Sequence, residues 1–262
     1  MELPQECVAE ILRRTTPLDV ARNSVVSKIF CSAAESDTIW NHFLPSDYHS
    51  IICQSPSLAN APSKKALYLA LSDNPVIIDQ GKKSIQLDRK TGKKCYMLAA
   101  KALRISKGDD ERYCGWVTLP ESRFEEVVKL EVAKHNVAFW YDICGKINTI
   151  DLSPNTQYAV FLVFKMITDH GGPIHVILSI NNFGGPIWKK VVCLYKKLKP
   201  KCMTKVIEGP DVRSDGLLEI EMGEFFNSGL EDGEVEMGVM ISKFYFWEGS
   251  FYLEGIEVRP KI

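Results

Sequence analysis

The chain has 262 residues, 45% of them hydrophobic and 25% charged, with a formal net charge of −1. That is an ordinary globular balance, long enough for one large domain or a small plus a medium one. Near-neutrality excludes a whole-protein electrostatic pull toward nucleic acid or an anionic membrane.

The first 72 residues carry helical spacing. Val8, Ile11 and Leu12 fall at i, i+3, i+4 after Leu3-Pro4. Thr16-Pro17-Leu18-Asp19 reads as a helix start, with a Thr cap, Pro at the first helical position and an acid in the first turn. Val25, Val26 and Phe30 continue the apolar pattern, and Ser36-Asp37 opens a short helix carrying Ile39, Trp40 and Phe43. Residues 45–62 are rich in Pro, Ser and Asn and are expected to be a loop. Ser63 caps a further helix through Leu71, which Asp73-Asn74-Pro75 ends.

After Pro75 the period changes to strands. Ile85 and Leu87 alternate with polar neighbours, 88–92 is a turn, and 95–98 is the return strand of a hairpin. Further strands are expected at 139–143, 158–164, 174–180, 190–195, 217–220, 235–241 and 251–258. In 235–241 the alternation is clean, as in a half-buried antiparallel strand. The expected fold class is α+β: a small all-α bundle followed by an antiparallel β-sandwich of jelly-roll type. The bundle is too short to bury much apolar surface alone.

The longest apolar run, 158–164, is far short of the roughly 20 residues that cross a membrane. The acidic start Met1-Glu2-Leu3-Pro4-Gln5-Glu6 does not read as a signal peptide, so the cytoplasm or nucleus is the expected location. Eight cysteines (7, 31, 53, 95, 114, 144, 193 and 202) are scattered without a C-x-x-C pair and are read as mostly buried thiols, not a zinc site. Glu224, Glu231, Asp232, Glu234 and Glu236 read as a solvated hairpin before they read as catalytic carboxylates. The lysines at 189, 190, 196, 197, 199 and 201 read as a charged strand edge before a nuclear signal or anion patch. The five histidines share no spacing, and no nucleophile, metal or phosphate motif is present. No enzyme chemistry, metal or cofactor is expected.

Two resemblances organise these elements. The run Leu3-Pro4-Gln5-Glu6-Cys7-Val8-Ala9-Glu10-Ile11-Leu12, then Thr16-Pro17-Leu18-Asp19-Val20-Ala21-Arg22, Val25-Val26-Ser27-Lys28-Ile29-Phe30 and Ser36-Asp37-x-Ile39-Trp40 resembles an F-box over roughly residues 1–44. The resemblance implies docking on the Skp-type adaptor of a cullin–RING ubiquitin ligase. The matching positions that face the adaptor or hold the docking helices are Leu3, Pro4, Ile11, Leu12, Pro17, Leu18, Val25 and Val26, whereas Trp40 is expected to pack.

The second resemblance is to the phloem protein 2 family, also called Nictaba-like lectin domains. It is carried by Lys93 to Ala100, Leu103-x-Ile105-Ser106, Gly108-Asp109-Asp110, Gly145-Lys146-Ile147, Tyr158 to Lys165, Arg213 to Gly216, Gly223 to Phe226, Glu231 to Met237 and Gly255-Ile256-x-Val258-Arg259-Pro260. The joined pair resembles the plant F-box–phloem protein 2 subgroup. The expected division is an F-box at 1–45, a linker and connecting helix at 46–75, and the sandwich at 76–262.

This resemblance implies binding of N-glycan or N-acetylglucosamine-containing carbohydrate through two stacking tryptophans. The sequence departs at both, with Lys107 and Cys114 in their places. Each lost stacking contact is worth about 1–3 kcal/mol. The remaining ligand candidates are Tyr113, Trp116, Asp109 and Lys107. The leading expectation is a substrate-recognition subunit of a Skp–cullin–F-box ligase that selects a protein. The alternatives are a glycan reader that delivers glycoproteins for degradation, and a carbohydrate- or protein-binding defence protein outside any ligase.

Overall fold

Apolar spacing switches from helical to alternating near Pro75, and the secondary structure switches with it. The computed structural model describes residues 4–132, 140–167, 175–182, 187–194, 209–242 and 249–261. The helices are α1 (Gln5–Arg13), α2 (Pro17–Asn23), α3 (Lys28–Ala34), α4 (Asp37–Phe43), α5 (Tyr48–Cys53) and α6 (Lys64–Asp73). The strands are β1 (Val76–Ile78), β2 (Lys83–Leu87), β3 (Lys94–Ala99), β4 (Arg104–Ile105), β5 (Cys114–Val117), β6 (Val127–Val132), β7 (Trp140–Asn148), β8 (Thr156–Met166), β9 (His175–Asn182), β10 (Trp188–Cys193), β11 (Asp211–Val212), β12 (Leu218–Asn227), β13 (Glu234–Ser242) and β14 (Gly249–Pro260). Contacts divide the chain into two units: Met1–Gln80 with Ser84–Tyr96, and Gly81–Lys83 with Met97–Ile262.

In the first unit, local chemistry starts the helices and aromatic packing joins them. Thr16 accepts from the Asp19 amide at 3.2 Å, and the Asp19 carboxylate accepts from the Thr16 amide at 3.4 Å, with Pro17 opening α2. The Ser27 and Ser63 hydroxyls accept from the Phe30 and Ala66 amides and cap α3 and α6. α1 packs on α3 and α4, and α4 on α6. Val8 and Leu12, one turn apart, are buried on α1. Trp40 is 3% exposed, and its indole N–H donates to the Ala34 carbonyl at 2.7 Å. Its ring lies 5.1 Å from that of Tyr68, whose hydroxyl donates to the carbonyls of Asp88 (3.1 Å) and Arg89 (3.3 Å). Lys94 closes on Asp47 at 2.8 Å. Thus the β2–β3 turn groups with the helices.

Residues 45–62 are not simply a loop. They hold α5 and a 3-10 turn at Pro56–Leu58. Tyr48 and Ile51, spaced i, i+3, are buried there and stabilise the helix from one side. The Pro, Ser and Asn content hid that pair.

The second unit is an antiparallel sandwich. In one sheet β14 is flanked by the end of β3 and by β8, followed by β12 and β11, with β6 pairing β14 and β5 pairing β6. The other is ordered β10–β9–β13–β7–β4. A Cβ on Gly223 of β12 would lie 3.1 Å from Ile180 of β9, which shows how closely the two sheets approach. Tyr141, Ile143, Leu162, Leu178, Met237 and Ile256 are fully buried. The run at 158–164 is apolar on both faces because Met97, Ala99, Phe124 and Leu217 cover Val163 in a second cluster. β12 and β14 each shift register, after Glu221 and after Leu253. At the second bulge Gly255 has φ +158°, and any Cβ there would collide with the Leu98 carbonyl.

The bulge residue Glu254 is 2% exposed. One oxygen accepts from the Arg123 amide at 3.2 Å, and Oε2 has no partner. Nearby, Arg213 and Arg259 neutralise Glu219 and Glu257 at 2.6–3.0 Å. Burial would raise Glu219, but Arg259 and Arg213 hold it below the usual carboxylate range. At Glu254 burial outweighs the lowering by Ser122 and Arg123 and raises its pKa above 4.5. The folded state therefore binds this proton more tightly than the unfolded chain. Its contribution to stability falls as pH rises from 4.5 toward the raised value and stays low above it. Glu254→Gln is expected to raise Tm at about pH 7 and to lose that advantage near pH 4. A gap between the two proteins that is constant over this range in thermal unfolding contradicts this.

Candidate functional site

The helical candidates separate by exposure. Leu3 lies outside the described residues. Leu12 and Pro17 are buried and Leu18 is half-buried, so they hold α1 and α2. Pro4 caps α1 and is exposed. Ile11 is 49% exposed, and Val25 and Val26, in the turn between α2 and α3, are 86% and 67% exposed. Three large aliphatic side chains at this exposure thus lie within one short bundle.

The second candidate set lies between β4 and β5. Lys107 is exposed and sits at φ +62°, a left-handed conformation that suits glycine or asparagine better than lysine. Asp110 follows in the turn, and Arg112 grips it at 2.9 and 2.7 Å, which brings the Asp110 carboxyl down to about 2. The Tyr113 ring is faced by Lys107 Nζ at 5.3 Å and by the Arg112 guanidinium at 5.4 Å. Asp109 is exposed beside them.

Cys114 is 5% exposed and opposes Leu130, with burial pushing its thiol up to about 11. Position 114 therefore points into the sandwich. Trp116 shares that face of β5, opposes Val128, and leans out at 44% exposure under Lys101 Nζ at 5.9 Å. Tyr113 is an odd number of residues away. Its carbonyl still accepts from the Glu131 amide at 2.8 Å, so it continues the ladder with its side chain on the opposite face. The structure brings Lys107 and Tyr113 together. It does not bring Tyr113 and Trp116 onto one platform.

Tyr141, which carries no mark in the sequence, positions this turn. Its fully buried hydroxyl lies 2.8 Å from the Tyr113 carbonyl and 2.7 Å from that of Glu131. The acidic candidates do not form the expected hairpin, because β12 and β13 lie in different sheets and the turn between them crosses from one to the other. Glu224 pairs with Lys261, Glu234 pairs with Lys146 at 2.6 Å, and Glu236 accepts from the Cys144 thiol at 3.0 Å. Lys189 and Lys190 lie on β10, and the lysines from 196 onward are outside the described residues. Cys7, Cys31 and Cys53 are exposed, so the expectation of mostly buried thiols fits only Cys114, Cys144 and Cys193, and Cys202 is not described.

The phloem protein 2 family matches residues 93–260, and the F-box domain matches residues 1–42. F-box protein PP2-B10 of Arabidopsis thaliana is 37% identical, over 98% of this chain and 92% of its own length. Putative F-box protein PP2-B12 of the same plant is 37% identical over 100% and 98%, and F-box protein SKIP3 is 36% identical over 98% and 87%. Among solved structures, TmCBM61 in complex with β-1,4-galactotriose is similar at a TM-score of 0.38 and 13% identity, covering 62% of this chain and 91% of that one.

Tyr141→Phe removes the hydroxyl that lies against the Tyr113 and Glu131 carbonyls and is expected to cost about 1 kcal/mol, since the Tyr113 carbonyl keeps the Glu131 amide. Urea unfolding measures it, and an unchanged midpoint contradicts the role given to the hydroxyl.

Proposed function

This chain belongs to the phloem protein 2 family of F-box proteins, and on that premise we propose that it is the non-catalytic, substrate-selecting subunit of a Skp–cullin–F-box ubiquitin ligase. It docks on a Skp-type adaptor through the helical unit and selects its target through the sandwich, in the cytoplasm or nucleus. The observation that carries this reading is the exposure of Ile11, Val25 and Val26 inside the matched F-box. Covering one such side chain is worth about 1.5–3 kcal/mol, so three of them supply a useful share of a docking interface.

Ile11→Asp/Val25→Asp/Val26→Asp is expected to weaken adaptor binding by about 100-fold or more with Tm unchanged, because none of the three is in the core. Isothermal titration against a Skp-type adaptor measures this. A parent chain that does not bind, or a variant that binds as well as the parent, contradicts the reading.

A glycan-reading function has Trp116, at 44% exposure, as its aromatic candidate. It is the weaker reading, because Tyr113 and Trp116 face opposite ways and cations already face the Tyr113 ring. A glycan array on which the parent binds and Trp116→Ala does not would favour it.

A further inference from the structure

The crossings from β7 to β8 and from β12 to β13 both run from one sheet to the other at the same end of the sandwich. They are locked together. The Asn227 side chain, 3% exposed, donates to the carbonyls of Thr149 (3.0 Å) and Ser153 (3.1 Å) and accepts from the Gly229 amide (3.2 Å). The Thr149 hydroxyl lies 3.1 Å from the Glu231 carbonyl and accepts from the Gly233 amide at 2.9 Å.

Strand register places other residues at this end. Val235, near the start of β13, opposes Asn182, and Ile180 opposes Trp188, so the beginning of β10 lies here too. Nine large apolar side chains of this unit are exposed among the described residues. Five are at this end: Ile150 (67%), Ile187 (58%), Trp188 (66%), Phe226 (55%) and Leu230 (88%). Exposed apolar groups concentrated on pinned loops mark a binding surface, because little conformational freedom is lost when they are covered.

The charges at this end point to the occupant. Lys146 and Lys261 are neutralised by Glu234 and Glu224. Among the described residues, Glu231 and Asp232, directly after Leu230, are exposed and have no ion pair, and Lys189 follows Trp188 on β10.

We propose that this end of the sandwich is a docking surface for a polypeptide segment of a client protein, with two or more large apolar side chains next to lysine or arginine. The apolar groups cover Leu230, Phe226 and Trp188, and the cations meet Glu231 and Asp232. This rests on the substrate-selecting function above and names its surface.

The test is selection of a displayed library of random segments of about 12 residues on the full-length chain, followed by fluorescence anisotropy with the enriched peptides. Enriched segments are expected to combine apolar residues with net positive charge. Leu230→Asp and Trp188→Ser are each expected to weaken them about tenfold or more without changing Tm. Glu231→Lys/Asp232→Lys is expected to abolish the preference for positive charge. No enrichment, enrichment without that composition, or affinities that Leu230→Asp leaves unchanged overturns the proposal. Adaptor binding is titrated on the same preparation. Loss of adaptor binding with peptide selection intact removes the ligase function and leaves the surface standing, whereas the converse removes only the surface.

Discussion

The two sheet-to-sheet crossings at the candidate recognition end of the sandwich depend on one buried amide. Asn227 satisfies two carbonyls of the facing crossing and one amide of its own turn. A side chain with both a donor and an acceptor is needed there, since the Thr149 and Ser153 carbonyls are removed from water and the turn amide needs an acceptor. Because of that lock, two connections between different sheets act as one rigid element. Apolar residues on it stay exposed instead of folding back into the core.

The two units solve the problem of stability differently. The helical unit has little apolar area, and it uses a capping box, two serine caps, the Trp40–Tyr68 contact and the Tyr68 bonds to the β2–β3 turn. The sandwich has area to spare. It tolerates a dense network of Arg213, Arg259, Glu219 and Glu257 against its larger sheet, and even the unpartnered oxygen of Glu254. Both units nevertheless expose aliphatic side chains that their cores do not need, Val25 and Val26 on one and Leu230 on the other. The proposed substrate-selecting function would use one such surface on each unit.

Much of the fold is legible in the sequence because its signals are local. Thr16-Pro17-Leu18-Asp19 builds the capping box its letters spell, and Val235 to Ile241 alternates in the structure as on the page. What is not legible depends on partners far along the chain. β4 and β11 are two residues long and exist only because β7 and β12 offer an edge. α5 hides in a Pro- and Ser-rich stretch, with only Tyr48 and Ile51 to mark it. The same holds for the site. That Lys107 and Cys114 replace expected aromatics can be read from order alone. That position 114 points inward and that Tyr113 and Trp116 diverge follows only from the pairing of β5 with β6. Nothing in the sequence marks Trp188 and Phe226 as surface residues, and only the strand ends reveal their exposure.

Amide hydrogen exchange on the full-length chain, alone and saturated with a Skp-type adaptor, tests most directly whether docking and recognition use separate surfaces. Added protection confined to the peptides around α1, α2 and the Val25–Val26 turn is expected, with exchange at 149–155 and 226–233 unchanged. Protection by the adaptor at those two crossings, or none in the helical unit, contradicts it.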